Sequence, residues 1–206
     1  PDFSCHQDPE LAFVGGVIEM NANYELITDN LLDLAHSEFV HEGLLSSPGY
    51  TASKLDTIEQ GTTIYANRWA PNCDAMPAFH MIFDGHREGD PVDHWAYMRW
   101  DAPAHMLLDV GITHPGKPRT EGAWIYGTDI LAPKDETTTY YFWGITRSYK
   151  TDDSAAGELW KQVIKGAFRA AVLQEFIAHS IRKTRVALAD MVDRLCRING
   201  FSERVR

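Results

Sequence analysis

The chain contains 206 residues, of which 44% are hydrophobic and 23% are charged, and its formal net charge at pH 7 is −10. This length suits one sizeable hydrophobic core and is short for two. The composition is that of an ordinary soluble globular protein. Proteins that bind nucleic acids concentrate Lys and Arg against the phosphate backbone, so the acidic balance argues against a nucleic-acid partner. No apolar run is long enough to span a bilayer and no basic-then-apolar leader is present, so we predict no membrane association.

The cysteines are scattered along the chain, at Cys5, Cys73 and Cys196. None belongs to a C-x-x-C pair, which argues against a zinc ribbon and against a thioredoxin-like motif. Their odd number and the missing leader favour a reducing compartment, and we therefore predict a cytoplasmic location.

The first part of the chain is predicted to form strands and then a helix. Residues 1–28 are assigned to N-terminal strands, because residues 11–28 mix aliphatic and aromatic side chains as a strand pair does. Residues 29–41 are predicted to form a helix whose buried side carries several leucines. Residues 42–50 are rich in Ser, Pro and Gly and are predicted to form a loop. This loop is a candidate mouth or lid of a pocket, and a plain connector is the alternative.

Residues 52–147 are predicted to form an antiparallel sheet, because short alternating segments are separated by Pro and Gly breakers. The predicted strands are 62–66, 79–83, 94–100, 105–111, 124–131 and 137–147. The last two form the clearest hairpin, since β-branched and aromatic residues flank a four-residue polar turn.

From Ser154 the apolar residues recur at helical spacing, which predicts C-terminal helices over residues 154–198. Asp153 or Ser154 is the expected N-cap. Helices laid against one curved antiparallel sheet define an α+β fold with a cavity between the two layers.

The predicted helix over residues 29–41 places polar side chains among apolar ones, which costs free energy unless they are paired or bind a ligand. Asn30, Asp33 and His36 recur at every third position and share one helix face. His41 can reach the same ion as His36 only if the helix bends or ends near residue 37 or 38. Two neutral imidazoles with a carboxylate from elsewhere are the ligands of non-haem Fe(II) centres, which leave coordination sites open for oxygen chemistry.

The alternative is that both histidines lie at the core edge or the surface and bind no metal. Asp33 favours the metal site, because a metal-bound histidine usually gives its second N–H to a carboxylate or a carbonyl. An aspartate one turn upstream of His36 can accept that hydrogen.

Residues 24–36 read Tyr-Glu-Leu-Ile-Thr-Asp-Asn-Leu-Leu-Asp-Leu-Ala-His, and Phe-Val-His follows at residues 39–41. This segment resembles the iron-binding segment of Rieske-type aromatic oxygenases, in the branch of the vanillate and dicamba O-demethylase oxygenase components. The family motif, an Asp and two His, is met by Asp33, His36 and His41. Residues 1–3 and 8–9 resemble the join between the Rieske and catalytic domains, and residues 127–133 and 140–144 resemble that branch's late strand pair. The resemblance runs from residue 1 to about residue 168.

The resemblance implies that residues 1–206 are a catalytic domain of the helix-grip (START/Bet v 1-like) type. It implies a mononuclear Fe(II) ion held by His36 and His41, with Asn30 tuning solvent near the metal. It also implies a homotrimer in which electrons from a ferredoxin or reductase pass through the [2Fe-2S] Rieske cluster of a neighbouring subunit. Asp33 would connect that cluster to His36 across the subunit interface.

A Rieske cluster needs two cysteines and two histidines in paired motifs. Cys5 and His6 are adjacent but have no matching second pair. The cluster domain is therefore expected in a part of the protein outside this sequence, and the start at Pro1 in place of Met favours the same interpretation.

The third iron ligand is the weakest part of the match. The family's carboxylate is expected near Ala170, Ala171 and Val172, where no acid occurs. Glu175 lies one turn further along and is the candidate ligand. Three explanations remain open: a native carboxylate has been replaced by alanine, residues near 168–184 are missing from this sequence, or the protein binds iron through histidines alone. Residues 184–188 favour omission, because they resemble the family's last helix and come early.

The resemblance implies O2-dependent O-demethylation of an aromatic substrate, expected to be a methoxylated carboxylate, or hydroxylation of a related ring. The rival interpretation is a helix-grip domain that binds a hydrophobic ligand without catalytic iron. A carboxylate substrate needs a cationic or hydroxyl partner in the cavity. Four basic residues of the predicted sheet region are the candidates, and each is expected to face outward: Arg68, His80, Arg99 and His105.

Overall fold

The computed structural model describes residues 1–37, 45, 47–80 and 82–167 of the chain. Its helices and strands follow in chain order: β1 (Ala12–Met20), α1 (Tyr24–Leu32), α2 (Pro48–Thr51), β2 (Leu55–Gln60), β3 (Thr63–Asp74), α3 (Pro77–His80), β4 (Pro91–Asp101), β5 (His105–Thr113), β6 (Ala123–Pro133), β7 (Thr139–Arg147) and α4 (Ser154–Ala167). Short 3-10 helices lie at Ser4–Gln7 and Arg119–Glu121.

The strands of the described residues form one seven-stranded sheet in the order β1-β7-β6-β5-β4-β3-β2. Every neighbouring pair is antiparallel. Because β1 lies beside β7, the first strand closes against the last one, while the other strands follow each other as hairpins. The predicted α+β fold with an antiparallel sheet is confirmed.

The two faces of the sheet differ in burial. Along β7, Tyr141, Trp143 and Ile145 are buried, whereas Phe142 between them is 45% exposed. Successive side chains of a strand point to opposite faces, so this alternation defines a covered side and an open side. We call the side of Tyr141, Trp143 and Ile145 the inner face and the opposite side the outer face.

Helices α1 and α4 cover the inner face. Ile27 of α1 is 2% exposed and belongs to the same buried cluster as the inner-face residues of the sheet, and Trp160 of α4 packs against that cluster. The Trp160 indole N–H donates to the Tyr149 hydroxyl at 2.7 Å. The hydrophobic core therefore lies between one sheet face and the helices, as in other α+β proteins.

The beginning of the chain differs from the prediction. Residues 11–28 contain one strand followed by a helix, not a pair of strands. Helix α1 begins at Tyr24 because Asn23 caps it: the Asn23 side chain accepts a hydrogen bond from the Glu25 N–H at 2.8 Å. The helix predicted for residues 29–41 therefore begins earlier and ends at Leu32. Residues 38–41 of that prediction lie outside the described residues.

The strand predicted for residues 79–83 is wrong over its described part. Pro77–His80 forms the short helix α3, and proline suits its first position because an N–H is not needed there. Phe79 and Phe83 are 4% and 7% exposed. They lie four residues apart and the Phe83 N–H donates to the Phe79 carbonyl at 3.1 Å. Two buried aromatics at this spacing fit a helical turn as well as a strand, and here the turn forms.

The second half of the sheet follows the prediction closely. The hairpin of β6 and β7 is present, and helix α4 begins at Ser154. Asp153 caps this helix by accepting a hydrogen bond from the Ala155 N–H at 2.8 Å. The part of the predicted C-terminal helices after residue 167 lies outside the described residues. Among the helices that are described, none is both long enough and apolar enough to cross a membrane.

Candidate active site

Helix α1 ends at Leu32 and residues 36 and 37 are helical again, so the chain bends between the two segments. The Asp33 backbone leaves the helical region, with φ −80° and ψ 85°, and its Oδ1 accepts a hydrogen bond from the Ala35 N–H at 3.0 Å. A short polar side chain that bonds the backbone two residues ahead competes with the helix. This bend precedes His36. The bend expected near residue 37 or 38, which would let His36 and His41 reach one ion, stays a prediction, because residues 38–41 lie outside the described residues.

The imidazole of His36 is oriented by the bend. Its Nδ1 lies 2.5 Å from the carbonyl oxygen of Asp33. Because a carbonyl oxygen only accepts hydrogen bonds, Nδ1 carries the hydrogen and the neutral ring holds its lone pair on Nε2. Metal-binding histidines are commonly oriented in this way, with one ring N–H on a carbonyl or carboxylate and the other nitrogen as ligand. The geometry of His36 therefore fits a divalent metal such as Fe(II).

Asp33 accepts the His36 hydrogen through its backbone carbonyl, not through its carboxylate. The carboxylate bonds the Ala35 N–H, and the residue is exposed. Its side chain is thus positioned at the surface of the bend, where it could contact another subunit. The role of Asp33 in connecting two centres stays a prediction.

Asn30 lies on the last turn of α1. Its Nδ2 is buried and has no hydrogen-bond partner within the described part of the chain. A buried N–H without an acceptor costs about 1–3 kcal/mol, so such a group usually serves a ligand or a solvent molecule. This observation supports the predicted position of Asn30 close to the metal.

His41 and Glu175, the other predicted ligands, lie outside the described residues. Within residues 1–37, 45, 47–80 and 82–167, no group of three His, Cys, Asp or Glu side chains could hold a metal ion. A metal at His36 therefore needs ligands from other parts of the chain, and the assignment of His41 and Glu175 stays a prediction.

The inner face carries an aspartate that the sequence analysis did not single out. Asp129 of β6 is 8% exposed, and the Tyr141 hydroxyl on β7 donates to its Oδ1 at 2.5 Å. Burial raises the pKa of Asp129 to about 6, and the hydrogen bond from Tyr141 opposes this rise. The sequence contained the signal, because Asp129 has the same strand phase as the buried Ile125 and Leu131.

A second polar group lies on the inner face of β3 and β4. Arg68 was expected to face outward, and this is wrong: it is 5% exposed and donates from Nη1 to the carbonyls of Tyr50 at 3.1 Å and Thr51 at 2.8 Å. The buried guanidinium charge is stabilised by these two carbonyl oxygens and by the Tyr50 ring, whose centroid lies 5.2 Å from Cζ. The His94 ring stacks on the Tyr50 ring and meets the Phe79 ring edge-on, and burial lowers its pKa to about 3, so it stays neutral.

The remaining basic candidates do not lie in a common site. Arg99 and His105 lie on the outer face, as predicted, against the N-terminal segment: Arg99 Nη2 donates to the Asp2 carbonyl at 2.7 Å and His105 lies beside Phe3. His80 is on α3, not on a strand, and its ring stacks on that of His86 at 4.9 Å. The structure therefore does not bring the four residues together.

The two layers of this molecule, a curved antiparallel sheet and helices on its inner face, form the fold of an oxygenase catalytic domain. Dicamba monooxygenase bound to 3,6-dichlorosalicylic acid superposes on all of this chain with a TM-score of 0.78 and 25% identity, over 57% of its own chain. The chain belongs to the family of the vanillate O-demethylase oxygenase C-terminal domain, whose model matches residues 20–174.

Two curated relatives show how much of an oxygenase component the chain represents. The vanillate O-demethylase oxygenase subunit of a Pseudomonas species is 31% identical over 150 residues, covering 69% of this chain and 42% of that protein. The dicamba O-demethylase oxygenase component of Stenotrophomonas maltophilia is 31% identical over 153 residues, covering 74% of this chain and 44% of that protein. The chain thus spans less than half of the length of these relatives.

Proposed function

We propose that the chain is the catalytic half of an oxygenase component that uses O2 and Fe(II) to O-demethylate, or to hydroxylate, an aromatic substrate. The single observation that supports this most is the His36 imidazole, whose Nδ1–H lies on the Asp33 carbonyl and whose Nε2 carries the lone pair. In a member of this family, such a histidine on a broken helix is best explained as a metal ligand.

His36, His41 and a carboxylate, with Glu175 as the candidate, would hold the mononuclear iron. When bound, Fe(II) would supply open coordination sites for O2. Two residues of the chain would orient the groups around the metal. The Asp33 carbonyl fixes the tautomer of His36, and the buried Nδ2 of Asn30 would donate a hydrogen bond to solvent beside the metal. The core between the sheet and the helices provides the apolar surroundings of the substrate ring.

The overall reaction for a methoxylated ring consumes O2, two electrons and two protons. The methyl group becomes a hemiacetal and one oxygen atom leaves as water; the hemiacetal then breaks its C–O bond to give a phenol and formaldehyde. The electrons would come from a [2Fe-2S] Rieske cluster in the part of the protein outside this sequence, supplied in turn by a ferredoxin or reductase. We further propose a cytoplasmic homotrimer in which Asp33 faces the neighbouring subunit's cluster.

Metal analysis of the anaerobically purified full-length protein tests this proposal. We expect one mononuclear iron per chain beyond the iron of the cluster. His36→Ala should lose the mononuclear iron and keep the sheet folded, as judged by circular dichroism. His105→Ala is the matched control, because this histidine lies on the outer face beside Phe3 and should leave the iron content unchanged.

Two outcomes would contradict the proposal. If iron persisted in the double variant His36→Ala/His41→Ala, the site would be elsewhere. If the wild-type protein contained no mononuclear iron, the chain would be a binding domain for a hydrophobic ligand, which is the rival function predicted from the sequence.

A further inference from the structure

Asp129 lies on the inner face of β6, beside an aromatic ring and a methionine. It pairs with Trp143 on β7 and with Met106 on β5. Met106 is fully buried and Trp143 is 7% exposed. Directly opposed residues of neighbouring strands point to the same face, about 5 Å apart, so the carboxylate lies between an indole and a thioether. These are surroundings suited to an aromatic ligand.

The carboxylate of Asp129 is only partly satisfied. Its Oδ1 accepts the hydrogen bond from Tyr141, and no hydrogen bond reaches its Oδ2 from any described residue. Burial raises its pKa and the Tyr141 hydrogen bond lowers it, and no lysine or arginine among the described residues contributes. A buried acid without a counter-ion is costly, so a protein keeps one in place only where something else compensates it.

Two other shielded aspartates of the sheet show how this protein treats a carboxylate that serves the fold. Asp93 is 6% exposed and accepts the Asn72 N–H on Oδ1 and the Gly116 N–H on Oδ2, both at 2.8 Å. Asp109 on the outer face accepts the Trp95 indole N–H on Oδ1 at 2.7 Å and the Arg119 guanidinium on Oδ2. Both oxygens are filled in each case. Asp129 is the exception among the three.

Asp129 also lies at the end of the sheet over which α1 passes. Helix α1 contacts β6. Its N-terminal end is fixed to the β6–β7 turn, because Asn23 Nδ2 donates to the Glu136 carbonyl at 3.0 Å and Thr139 Oγ1 donates to the Ala22 carbonyl at 2.8 Å. The helix that leads to His36 therefore starts beside the strand that carries Asp129.

The cationic group of the inner face is distant from this position. Arg68 is on β3, three strands from β6, which corresponds to about 14 Å across the sheet. Two hydrogen bonds to the carbonyls of Tyr50 and Thr51 already occupy one of its terminal nitrogens. A ligand held against Trp143 and Met106 thus meets an acid, not a base.

We propose that Asp129, supported by Tyr141, is the polar anchor of the substrate cavity, and that the substrate is an aromatic ring bearing a hydrogen-bond donor such as a phenol, aniline or amide. This inference rests on the proposed function and changes its expected substrate, because the family resemblance implied a carboxylate. A ligand O–H or N–H would fill the open Oδ2. A ligand carboxylate would place a second negative charge beside a buried acid, which disfavours binding.

Isothermal titration calorimetry of the anaerobic full-length protein at pH 7.5, with its iron content measured separately, tests the anchor. The probes are a methoxyphenol, a methoxybenzamide and a methoxybenzoate with the same ring positions. We expect the phenol and the amide to bind the wild-type protein at least about tenfold more tightly than the benzoate. Asp129→Asn should lose this preference against the benzoate, because it removes the charge and keeps an acceptor for Tyr141.

Asp109→Asn is the matched control, because it removes a carboxylate from the outer face of the same sheet. This variant should still bind the phenol and the amide more tightly than the benzoate. Equal binding of benzoate and phenol to the wild-type protein would overturn the inference, and so would an unchanged preference in folded Asp129→Asn. If Asp129→Asn did not fold, the wild-type probe series would still decide. If the protein contains iron but binds the benzoate as tightly as the phenol, only the anchor is refuted. If it contains no mononuclear iron but still prefers the phenol and the amide, only the oxygenase assignment is refuted.

Discussion

Asp109 and Asp129 belong to neighbouring strands of one sheet, yet they are held in opposite ways. Asp109 points to the outer face and is bonded on both oxygens, by an arginine and a tryptophan. Asp129 points into the core and is bonded on one oxygen by a tyrosine. The acid that serves the fold has both oxygens bonded, whereas the buried acid has one oxygen that no described residue reaches, which is the basis for proposing it as a ligand contact.

The largest effect on stability should come from the satisfied acid. Asp109→Ala leaves the Arg119 guanidinium and the Trp95 indole N–H without their acceptor. Because the Arg119 side chain is 39% exposed and that of Asp109 17%, water compensates part of the loss, and we expect destabilisation of about 2 kcal/mol. Urea unfolding measures it. Asp109→Asn should lose less stability than Asp109→Ala, since its amide oxygen can still accept the hydrogen bond from Trp95. If both variants lost the same stability, the indole hydrogen bond would contribute little.

Replacement of Asp129, the partly satisfied acid, should have the opposite effect on stability. Burial raises the pKa of Asp129 from 3.8 to about 6, so the folded state binds this proton more tightly than the unfolded state does. The stability of the wild-type protein should therefore fall as the pH rises from about 4 to 6. Asp129→Asn removes that loss and should be more stable at pH 8, by on the order of 2 kcal/mol, and nearly neutral at pH 4.

Urea unfolding of both proteins at the two pH values measures the difference. Asp129→Asn and the wild-type protein are compared by their free energies of unfolding at each pH. If these differ by the same amount at pH 4 and pH 8, Asp129 does not titrate as a buried acid. Asp93→Asn provides a reference for loss of a buried carboxylate whose oxygens are both bonded, and it should be destabilising at pH 8.

A smaller effect is expected from Tyr141→Phe. The variant loses the one donor that the described residues offer to Asp129, at a cost of about 1 kcal/mol. Since the Tyr141 hydrogen bond lowers the pKa of Asp129, its removal should raise that pKa further. In the wild-type protein, benzoate binding should improve as the pH falls through about 6, and in Tyr141→Phe this transition should move to higher pH. Calorimetric titrations with methoxybenzoate between pH 5 and 8 measure the midpoint, and a shift to lower pH would contradict the assigned hydrogen bond.

The smallest change in stability is expected for a third aspartate, at the bend. Asp33→Asn keeps the side-chain oxygen that accepts from the Ala35 N–H and leaves the carbonyl that orients His36, so stability should change by less than about 0.5 kcal/mol. Iron content should be retained. If Asp33 connects the two centres as proposed, electron transfer from the cluster should slow by about tenfold or more, because the variant lacks the carboxylate charge. Stopped-flow oxidation of the reduced cluster in the full-length protein measures this, and an unchanged rate would argue against Asp33 as the connection.

The sequence predicted the features that are determined locally. The β6–β7 hairpin followed from a polar turn between alternating strands, and the start of α4 followed from the Asp153 cap. The end of α1 at Leu32 was not predicted, because it depends on a hydrogen bond between Asp33 and Ala35 that residue spacing does not reveal.

Other features depend on which face of the sheet becomes covered, which alternation alone cannot specify. Arg68 was misplaced for this reason, because its burial depends on the carbonyls of α2. Phe79 and Phe83 were misassigned because two buried aromatics four residues apart suit either a strand or a helix. Asp129 was overlooked because a single acid in the buried phase of a strand becomes meaningful only once its partners are known.

The attachment of α1 to the β6–β7 turn has a consequence for how new specificities could arise. The histidine-bearing segment and the acid of the inner face belong to separate elements, joined through Asn23, Thr139 and backbone carbonyls. The hydrogen bonds that hold β6 between β5 and β7 come from its backbone and do not depend on the side chain at residue 129. Descendants of this protein could therefore exchange that one side chain, and with it the proposed ligand contact, while inheriting the segment that carries His36 intact.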